Sequence, residues 1–357
     1  MKIQGVMIVK AAVWYAKKDI RIEEKELKPL KDNEVTVRVA WAGICGSDLH
    51  EYQEGPVFIP VDAPDKLTGQ VAPVIMGHEF SGVVEKVGKN VTKYKVGDRV
   101  VVNPTLTYGN KPEDVDCYDG FSFIGLHTDG GFTTFANAPE HNIYKLPETL
   151  TLQDGALVEP TAVAVQAVKE SGLLFGDNVA IFGAGPIGLL TIIAAKAAGA
   201  SNIIVFDLSE SRLEKAKELG ATAVFNSAEV NPVEAVKQYA PYGVDKTFEV
   251  AGVAPTFKSA IDVTRPRGTV VIVSIFAHSI EWNPLQLTNT GVKITSSIAY
   301  TPTSFQQTVD LMGSGQLQPQ SIITSQIELD DIVEKGFEAL TNDKSQAKIL
   351  VKLSGEL

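Results

Sequence analysis

The chain has 357 residues, 44% of them hydrophobic and 21% charged, and its formal net charge is −11. This length predicts two domains rather than one, with the composition of an ordinary soluble globular protein. The acidic balance argues against a nucleic-acid partner, because a phosphate-binding surface needs clustered lysines and arginines. No apolar run approaches the roughly 20 residues that cross a bilayer. The N-terminal segment shows no signal peptide, so we expect no membrane partner.

Only two cysteines occur in the chain, Cys45 and Cys117. Two cysteines give no disulfide framework, and a reducing compartment, the cytoplasm, fits this usage best. Any metal site must therefore draw on histidine and carboxylate side chains as well.

The first third of the chain is predicted to be rich in β-strands. The segment 34–41 alternates apolar and polar residues, and 82–88 and 98–103 have the pattern of further short strands. Segment 55–75 holds four prolines and two glycines. We expect a long ordered loop there, and such loops are often functional.

Strands and helices alternate from about residue 178 onward. A short apolar strand precedes an almost wholly apolar helix, a second strand covers 202–207, and an amphipathic helix covers 210–220. The alternation continues to 292–300 and predicts a parallel, doubly wound sheet, hence an α/β fold. Two helical stretches and a last strand at 347–353 complete the chain.

A glycine-rich turn joins the first of these strands to its helix. Gly183, Gly185 and Gly188 have the G-x-G-x-x-G spacing, and Pro186 and Ile187 lie between the last two. The strand–turn–helix context makes the spacing meaningful as a dinucleotide site. The first glycine permits the tight turn, the second lets a pyrophosphate approach, and the third lets helix and strand pack closely. The helix N-terminus then faces the phosphates.

The end of the second strand predicts which dinucleotide is bound. Asp207 follows Gly183 by 24 residues. A carboxylate there can accept hydrogen bonds from a ribose 2′-hydroxyl and would repel a 2′-phosphate, which favours NAD over NADP. Arg212 lies close enough in sequence to be a second cofactor-binding candidate. A purely structural turn in another α/β fold is the alternative.

Four residues in three segments are candidate metal ligands. Cys45 lies in "AGICGSDLHEY", His78 and Glu79 lie in "MGHEFSGVV", and Glu159 lies in "LVEPTAVAV". A catalytic zinc keeps three protein ligands and an open position. Cys45 and His78 with one or both glutamates would satisfy this requirement. Each residue also has an ordinary structural interpretation, so spacing alone leaves the zinc site open.

These segments resemble those of a known enzyme family. "GHEFSGVVEKVGKNV" (77–91) is similar to the zinc signature of medium-chain alcohol dehydrogenases, and "GICGSDLHEY" is similar to their first-ligand loop. The resemblance extends over essentially the whole chain. Within the family, "GPVFIPVD", "VEPTAVAVQAV" and "SSIAY" resemble most the 2,3-butanediol dehydrogenases, next to sorbitol and threonine dehydrogenases.

The resemblance implies roles for individual residues. Cys45 and His78 match zinc ligands, and Glu159 stands where this branch places a glutamate as the third. Glu79 is the other candidate and would orient or transiently replace it. Ser47 and His50 match the positions of a proton relay.

The same resemblance implies an architecture and an assembly. We expect a β-rich GroES-like catalytic domain in two parts, 1–157 and 297–357, around a Rossmann domain at 158–296 that binds NAD. The expected assembly is a homodimer or homotetramer.

The chain departs from the family in one segment. Relatives commonly hold a second, structural zinc with four closely spaced cysteines, whereas segment 107–126 has only Cys117. One thiolate cannot build a closed tetrahedral site, and the nearby Asp114, Asp116 and His127 are a weak signal. We therefore expect one catalytic zinc and no structural zinc.

The expected activity is NAD-dependent interconversion of a secondary vicinal diol and a hydroxyketone, of the 2,3-butanediol and acetoin type. Within the same class, a sorbitol-type or threonine dehydrogenase is the alternative. A non-catalytic NAD-binding protein is an alternative of another class, but such a protein should have lost ligand or relay residues.

Overall fold

The computed structural model describes residues 2–3 and 6–355. The strands are β1 Lys2–Ile3, β2 Val6–Ala16, β3 Asp19–Glu26, β4 Glu34–Gly43, β5 Val74–Ile75, β6 Glu79–Val87, β7 Arg99–Val102, β8 Thr105–Thr107, β9 Phe121–Phe123, β10 Phe135–Pro139, β11 Ile143–Lys145, β12 Val179–Phe182, β13 Ile203–Asp207, β14 Ala223–Asn226, β15 Val244–Glu249, β16 Thr264–Ile272, β17 Lys293–Ser296, β18 Ile323–Glu328 and β19 Lys348–Lys352.

The α-helices are α1 Gly46–Glu54, α2 Glu113–Asp116, α3 Leu152–Gly155, α4 Val158–Ser171, α5 Pro186–Ala197, α6 Glu210–Glu218, α7 Pro232–Lys237, α8 Ala254–Val263, α9 Leu285–Thr290, α10 Pro302–Gly313 and α11 Ala339–Asn342. Short 3₁₀ turns cover Cys117–Asp119, Glu140–Asn142, Pro319–Ile322 and Leu329–Asp331, and a π-helix covers Ile332–Glu338. No helix in the described part of the chain is long and apolar enough to cross a membrane.

The described residues form two compact units. The first holds the chain up to Glu159 together with Thr301–Gly315 and the residues from Ile323 onward. The second holds Pro160–Tyr300 and Gln316–Ile322. The domain boundaries expected from the sequence stay a prediction.

Strand β4 organises the first unit. One side of β4 pairs antiparallel with β6, and its other side pairs with β10 along the first half and with β19 along the second. The full order of this mixed sheet is β11-β7-β6-β4-β19-β18. The strand predicted for 34–41 is confirmed as part of β4, and Val35, Val37 and Val39 are fully buried in the core. The predicted alternation is not seen in burial, because Thr36 and Ala40 are buried as well.

A long N-terminal hairpin of β2 and β3 was not predicted. Its strands pair antiparallel, from Ile8 opposite Glu26 to Ala16 opposite Asp19. The turn contains neither Gly nor Asn-Gly, and instead Lys18 adopts φ 58°. A non-glycine residue seldom occupies that conformation, so the usual residue signals of a hairpin turn are missing here.

The second unit contains the parallel sheet that the sequence predicts. Its strand order is β14-β13-β12-β15-β16-β17, with parallel pairing throughout. The order reverses at β12, the first of these strands along the chain. Ligands of open α/β sheets bind at the carboxyl ends of strands beside such a reversal. Beyond β12 lie Gly183 and the turn into α5.

Candidate metal centre and dinucleotide site

The end of β4 and the start of β6 bring three of the four candidate metal ligands together. Gly43, the last residue of β4, pairs with Glu79 of β6 and with Leu350 of β19. Cys45 follows β4 and caps the N-terminus of α1, while His78 immediately precedes β6. The sheet register therefore places a thiol, an imidazole and a carboxylate at one edge.

The geometry of Cys45, His78 and Glu79 fits a metal ion. One possible ligand atom from each residue lies within 4.8 Å of the others, and this is the group of three that the described residues form. A sulfur, a nitrogen and an oxygen are the donors that zinc takes in proteins. His78 and Glu79 are buried and Cys45 is partly exposed, so the cluster keeps an accessible side.

Asp48 orients His78 from the far side of the ring. Its Oδ1 lies 3.4 Å from His78 Nδ1, and its Oδ2 accepts a 3.0 Å hydrogen bond from the Cys45 backbone N–H. Burial alone lowers the pKa of His78, but the Asp48 carboxylate and the Cys45 sulfur outweigh it and raise the pKa well above its ordinary value. The cluster therefore favours positive charge, and a ligating histidine commonly has such a carboxylate behind it.

Glu79 is held in a buried ion pair with Lys348. The Lys348 Nζ donates to both Glu79 oxygens, at 2.8 and 2.7 Å, and to the Ile44 carbonyl at 3.1 Å. Burial lowers the pKa of Lys348, whereas the charges of Glu79, Cys45 and Glu159 raise it above its ordinary value. Gly43 makes room for the pair, because a Cβ there would lie 2.0 Å from Glu79 Oε2.

Glu159 is buried in the first turn of α4. Its negative charge contributes to the raised pKa of Lys348, so it lies near the ion pair. Among the described residues, however, the group whose ligand atoms lie within 4.8 Å contains Glu79 and not Glu159. The third ligand predicted from the sequence, Glu159, stays a prediction.

The two residues predicted for proton relay lie on α1. The Ser47 Oγ is 3.3 Å from His78 Nε2, the ring nitrogen on the opposite side from Asp48. His50 is exposed one helical turn further along. Residues three apart share a helix face, so Ser47 and His50 connect the cluster side of α1 with solvent.

The segment 107–126 is folded as a small lobe around Cys117. Strands β8 and β9 pair antiparallel, and Cys117 is buried at the turn that follows α2. Asp116 accepts a 3.2 Å hydrogen bond from the Gly109 N–H, while Asp114 is exposed. His127 Nδ1 accepts from the Phe123 N–H at 3.0 Å, so backbone groups engage the lobe's polar side chains.

The glycine turn of the second unit has the shape that a dinucleotide needs. Gly183 has φ 104°, and a Cβ on Gly188 would lie 1.9 Å from the Gly183 carbonyl oxygen. A Cβ on Gly185, in contrast, would meet nothing within 4 Å. Pro186 and Ile187 begin α5, with Gly185 at its N-cap, so the N-terminus of that helix lies at the turn. The turn thus leaves room where a pyrophosphate would approach.

Asp207 ends β13 beside this turn. Its Oδ2 accepts a 2.7 Å hydrogen bond from the Ala184 N–H, and its Oδ1 accepts from the N–H groups of Leu208 and Ser209. These bonds fix the carboxylate next to the glycine turn, where it could meet a ribose. Arg212 lies in the first turn of α6.

Sequence reasoning did not assign roles to Asp48 and Lys348. Asp48 had a detectable signal, since a carboxylate three residues after a helix N-cap is a capping-box pattern. Lys348 had only the faint signal of a cation at the start of an apolar strand.

Comparisons with known proteins cover both units of the chain. Residues 31–148 match the family described as alcohol dehydrogenase GroES-like domain, and residues 186–314 match zinc-binding dehydrogenase. The chain is 45% identical to the (R,R)-butanediol dehydrogenase of Bacillus subtilis (strain 168), over 96% of this chain and 99% of that protein. It is 38% identical to the (R,R)-butanediol dehydrogenase of Neisseria gonorrhoeae, over 96% and 99%.

A solved structure extends the likeness to the fold. The crystal structure of the 2R,3R-butanediol dehydrogenase of Bacillus subtilis matches with a TM-score of 0.92 and 44% identity, covering 96% of this chain and 99% of that one. The predicted fold class, a GroES-like domain with a Rossmann-type domain, is confirmed. The chain belongs to the zinc-dependent medium-chain alcohol dehydrogenase family and is an NAD-dependent oxidoreductase.

Proposed function

We propose that this enzyme oxidises a secondary vicinal diol to a hydroxyketone with NAD and catalyses the reverse reduction, with (R,R)-2,3-butanediol and acetoin as the type pair. The observation that carries the proposal is the Cys45, His78 and Glu79 cluster in a chain 45% identical to a butanediol dehydrogenase over 96% of its length. A diol offers two adjacent oxygens to such a site.

We assign one catalytic zinc per chain to Cys45, His78 and Glu159, with Glu79 as the residue that orients or transiently replaces the third ligand. Support for this order comes from the Lys348 ammonium, which occupies both oxygens of Glu79. Asp48 fixes the ring of His78 from behind. No structural zinc is proposed, because Cys117 is the one sulfur in its segment.

Bound zinc would supply Lewis-acid chemistry toward the substrate oxygen, and bound NAD would supply a hydride acceptor. The protein's own side chains manage the proton. In this proposal the Ser47 hydroxyl, beside His78, accepts the proton of the substrate hydroxyl as it gives up its own, and the exposed His50 delivers that second proton to water. An imidazole suits that exit because its ordinary pKa is near neutrality.

The NAD site is assigned to the glycine turn and the residues beside it. Gly183, Gly185 and Gly188 with Pro186 and Ile187 would hold the pyrophosphate. Asp207 would accept from the ribose 2′-hydroxyl, and Arg212 would line the same site. A homodimer or homotetramer in the cytoplasm belongs to the same proposal.

The test is a substrate screen of the purified, zinc-loaded enzyme. The 2,3-butanediol isomers, acetoin, sorbitol and threonine are compared with NAD and NADP, and metal is measured by elemental analysis. We expect the highest kcat/KM with a butanediol isomer and about one zinc per chain. A higher kcat/KM with sorbitol or threonine would reject 2,3-butanediol as the substrate. No turnover of any of these compounds would indicate a non-catalytic NAD-binding protein. Two tightly held zincs per chain would reject the proposal that segment 107–126 binds no metal.

A further inference from the structure

Glu51 lies on the helix that carries Ser47 and His50, yet no catalytic role accounts for it. Its side chain is fully buried. The carboxylate accepts hydrogen bonds from three successive backbone N–H groups: Val57 at 3.1 Å to each oxygen, Phe58, and Ile59 at 2.9 Å. A buried carboxylate that gathers three amides of a loop fixes the path of that loop.

The chain is shaped around this carboxylate. A Cβ on Gly55 would lie 2.6 Å from Glu51 Oε2 and 2.4 Å from the Glu51 carbonyl oxygen, so only glycine fits there. The Trp14 Nε1 donates to the same carbonyl at 3.1 Å. The loop of residues 55–73, called here the 55–73 loop, therefore begins tightly packed against the C-terminal end of α1.

A second carboxylate fastens the middle of the 55–73 loop. Asp65 accepts from the buried Ser122 hydroxyl at 2.9 Å to each oxygen, and from the N–H groups of Leu67 and Thr68 at 3.0 and 2.8 Å. The Thr68 hydroxyl donates to the His127 carbonyl at 2.7 Å. Hydrogen bonding to Thr68, Ser122 and Leu67 holds the pKa of Asp65 below its ordinary value, against the effect of burial.

Both fastening points lie on elements that contact His78. Helix α1 contacts it through Ser47 Oγ, 3.3 Å from Nε2. Strand β9 contacts it through Phe123, whose ring is edge-on to the imidazole with centroids 5.8 Å apart. The stretch between Val57 and Asp65 therefore joins two elements that both contact His78.

Most side chains between Val57 and Asp65 are hydrocarbon, and Asp62 is the charged exception. Residues 56–61 read PVFIPV; Val57 and Val61 are exposed, and Ile59 is buried in the core. Such a wall suits the methyl groups that flank a short diol. The outer hydroxyls of a sugar polyol would have no hydrogen-bond partners against this wall, so the enzyme should discriminate strongly against sugar polyols.

We propose that Glu51 and Asp65 are positioning residues that hold the 55–73 loop as an apolar wall beside the metal cluster, and that this wall restricts the enzyme to short diols. The proposal rests on the proposed function for its substrate. The fastening itself concerns only protein groups and is measured without substrate.

The experiment compares Glu51→Gln, Asp65→Asn and Ser122→Ala with the wild type and with Glu54→Gln. Glutamine is isosteric with Glu51 but turns an N–H₂ group toward N–H donors, whereas Ser122→Ala removes one donor and is the mildest change. Glu54 is an exposed carboxylate on the same helix and is the matched control. Hydrogen exchange of peptides covering residues 55–73 is measured by mass spectrometry, and kcat and KM are measured for 2,3-butanediol and sorbitol.

In Glu51→Gln we expect exchange at Val57–Ile59 to accelerate by about tenfold or more, because loosened loops open at low free-energy cost. The KM for butanediol should rise about fivefold with kcat within about twofold, and the sorbitol-to-butanediol ratio of kcat/KM should increase. Asp65→Asn and Ser122→Ala should accelerate exchange at residues 65–68, and Glu54→Gln should match the wild type.

If hydrogen exchange in the 55–73 loop is unchanged in Glu51→Gln and Ser122→Ala, the proposal that Glu51 and Asp65 hold this loop is wrong. Faster exchange with an equal fall of kcat on both substrates would overturn the specificity role. A wild type that oxidises sorbitol and not butanediol would instead refute the proposed substrate, and with it the apolar-wall argument, while the exchange result would still decide whether the carboxylates hold the loop.

Discussion

Two regions of the molecule are built in opposite ways: the metal cluster of Cys45, His78 and Glu79, and the glycine turn at residues 183–188. The cluster is made of side chains, with the buried charges of Glu79 and Lys348 in direct contact. The turn is made of backbone and of missing side chains, with open space at Gly185 and close contact at Gly188. Losing one member of the first leaves an unpaired charge, whereas adding an atom to the second creates a steric conflict. The two regions should therefore fail differently when single residues are changed.

Lys348→Met should have the largest effect. It leaves the Glu79 carboxylate buried without its cation, which typically costs about 3–5 kcal/mol of the free energy of unfolding. The control is Lys352→Met on the same strand, where the ion pair with Glu328 is exposed and 3.6 Å long, so that about 1 kcal/mol or less is expected.

Urea unfolding of both variants measures this difference. Adding Glu79→Gln to Lys348→Met should restore part of the lost stability, because no uncompensated charge then remains. If Lys348→Met and Lys352→Met have equal free energies of unfolding, the buried ion pair of Lys348 and Glu79 contributes no more to stability than the exposed pair of Lys352 and Glu328.

Substituting Glu79 and Glu159 one at a time tests which of them is the third zinc ligand and which is the orienting residue. Removing a ligand should lower zinc retention, whereas removing an orienting residue should mainly lower affinity or activity by about 10–100-fold. We expect Glu159→Gln to lose zinc on dialysis and Glu79→Gln to keep most of it. Zinc content and acetoin turnover are measured for each.

The reverse outcome, zinc kept in Glu159→Gln and lost in Glu79→Gln, would exchange the two assignments. Full zinc and activity in both would mean that the third ligand is a different residue.

Gly188→Ala and Gly185→Ala test the turn by the same added methyl group. At Gly188 the methyl would lie 1.9 Å from a backbone oxygen, and overpacking of this kind costs about 1–3 kcal/mol. At Gly185 it enters open space at a helix N-cap, so the free energy of unfolding should fall by less than about 1 kcal/mol. NAD binding should weaken by about tenfold or more in both variants, because the methyl added at Gly185 would occupy the pyrophosphate's space and the one added at Gly188 would distort the turn that holds it.

Unfolding and a fluorescence titration with NAD separate these effects. Undiminished NAD affinity in Gly185→Ala would contradict the location of the pyrophosphate.

The glycine turn could be predicted almost completely from sequence, because its residues are contiguous and its geometry follows from spacing. The halves of the metal cluster in 42–52 and 76–84 were also recognisable as motifs. Lys348 was not, because it lies 269 residues from Glu79 and meets it only because β4 pairs with both β6 and β19. The hydrogen bonds that hold the 55–73 loop could not be predicted for a similar reason, since backbone amides carry no sequence signal. Such contacts depend on register, which a single sequence does not specify.

Asp207→Asn should have the smallest effect, since it changes one charge at the edge of the turn. The wild type should prefer NAD to NADP by about tenfold or more in kcat/KM, because the carboxylate repels a 2′-phosphate and accepts from a 2′-hydroxyl. Asparagine removes the repulsion and keeps one oxygen that can accept from the Ala184 N–H, but its N–H₂ group then faces the Leu208 and Ser209 N–H groups. The preference should therefore fall to about threefold or less, and the free energy of unfolding should fall by about 1 kcal/mol. Glu210→Gln, an exposed carboxylate three residues further along, is the matched control. Kinetics with both cofactors measure the ratio for all three proteins. If the wild type uses both equally, Arg212 or another cation dominates; if Glu210→Gln shifts the ratio as much as Asp207→Asn, the preference arises from the general charge of this edge and not from a contact with the ribose.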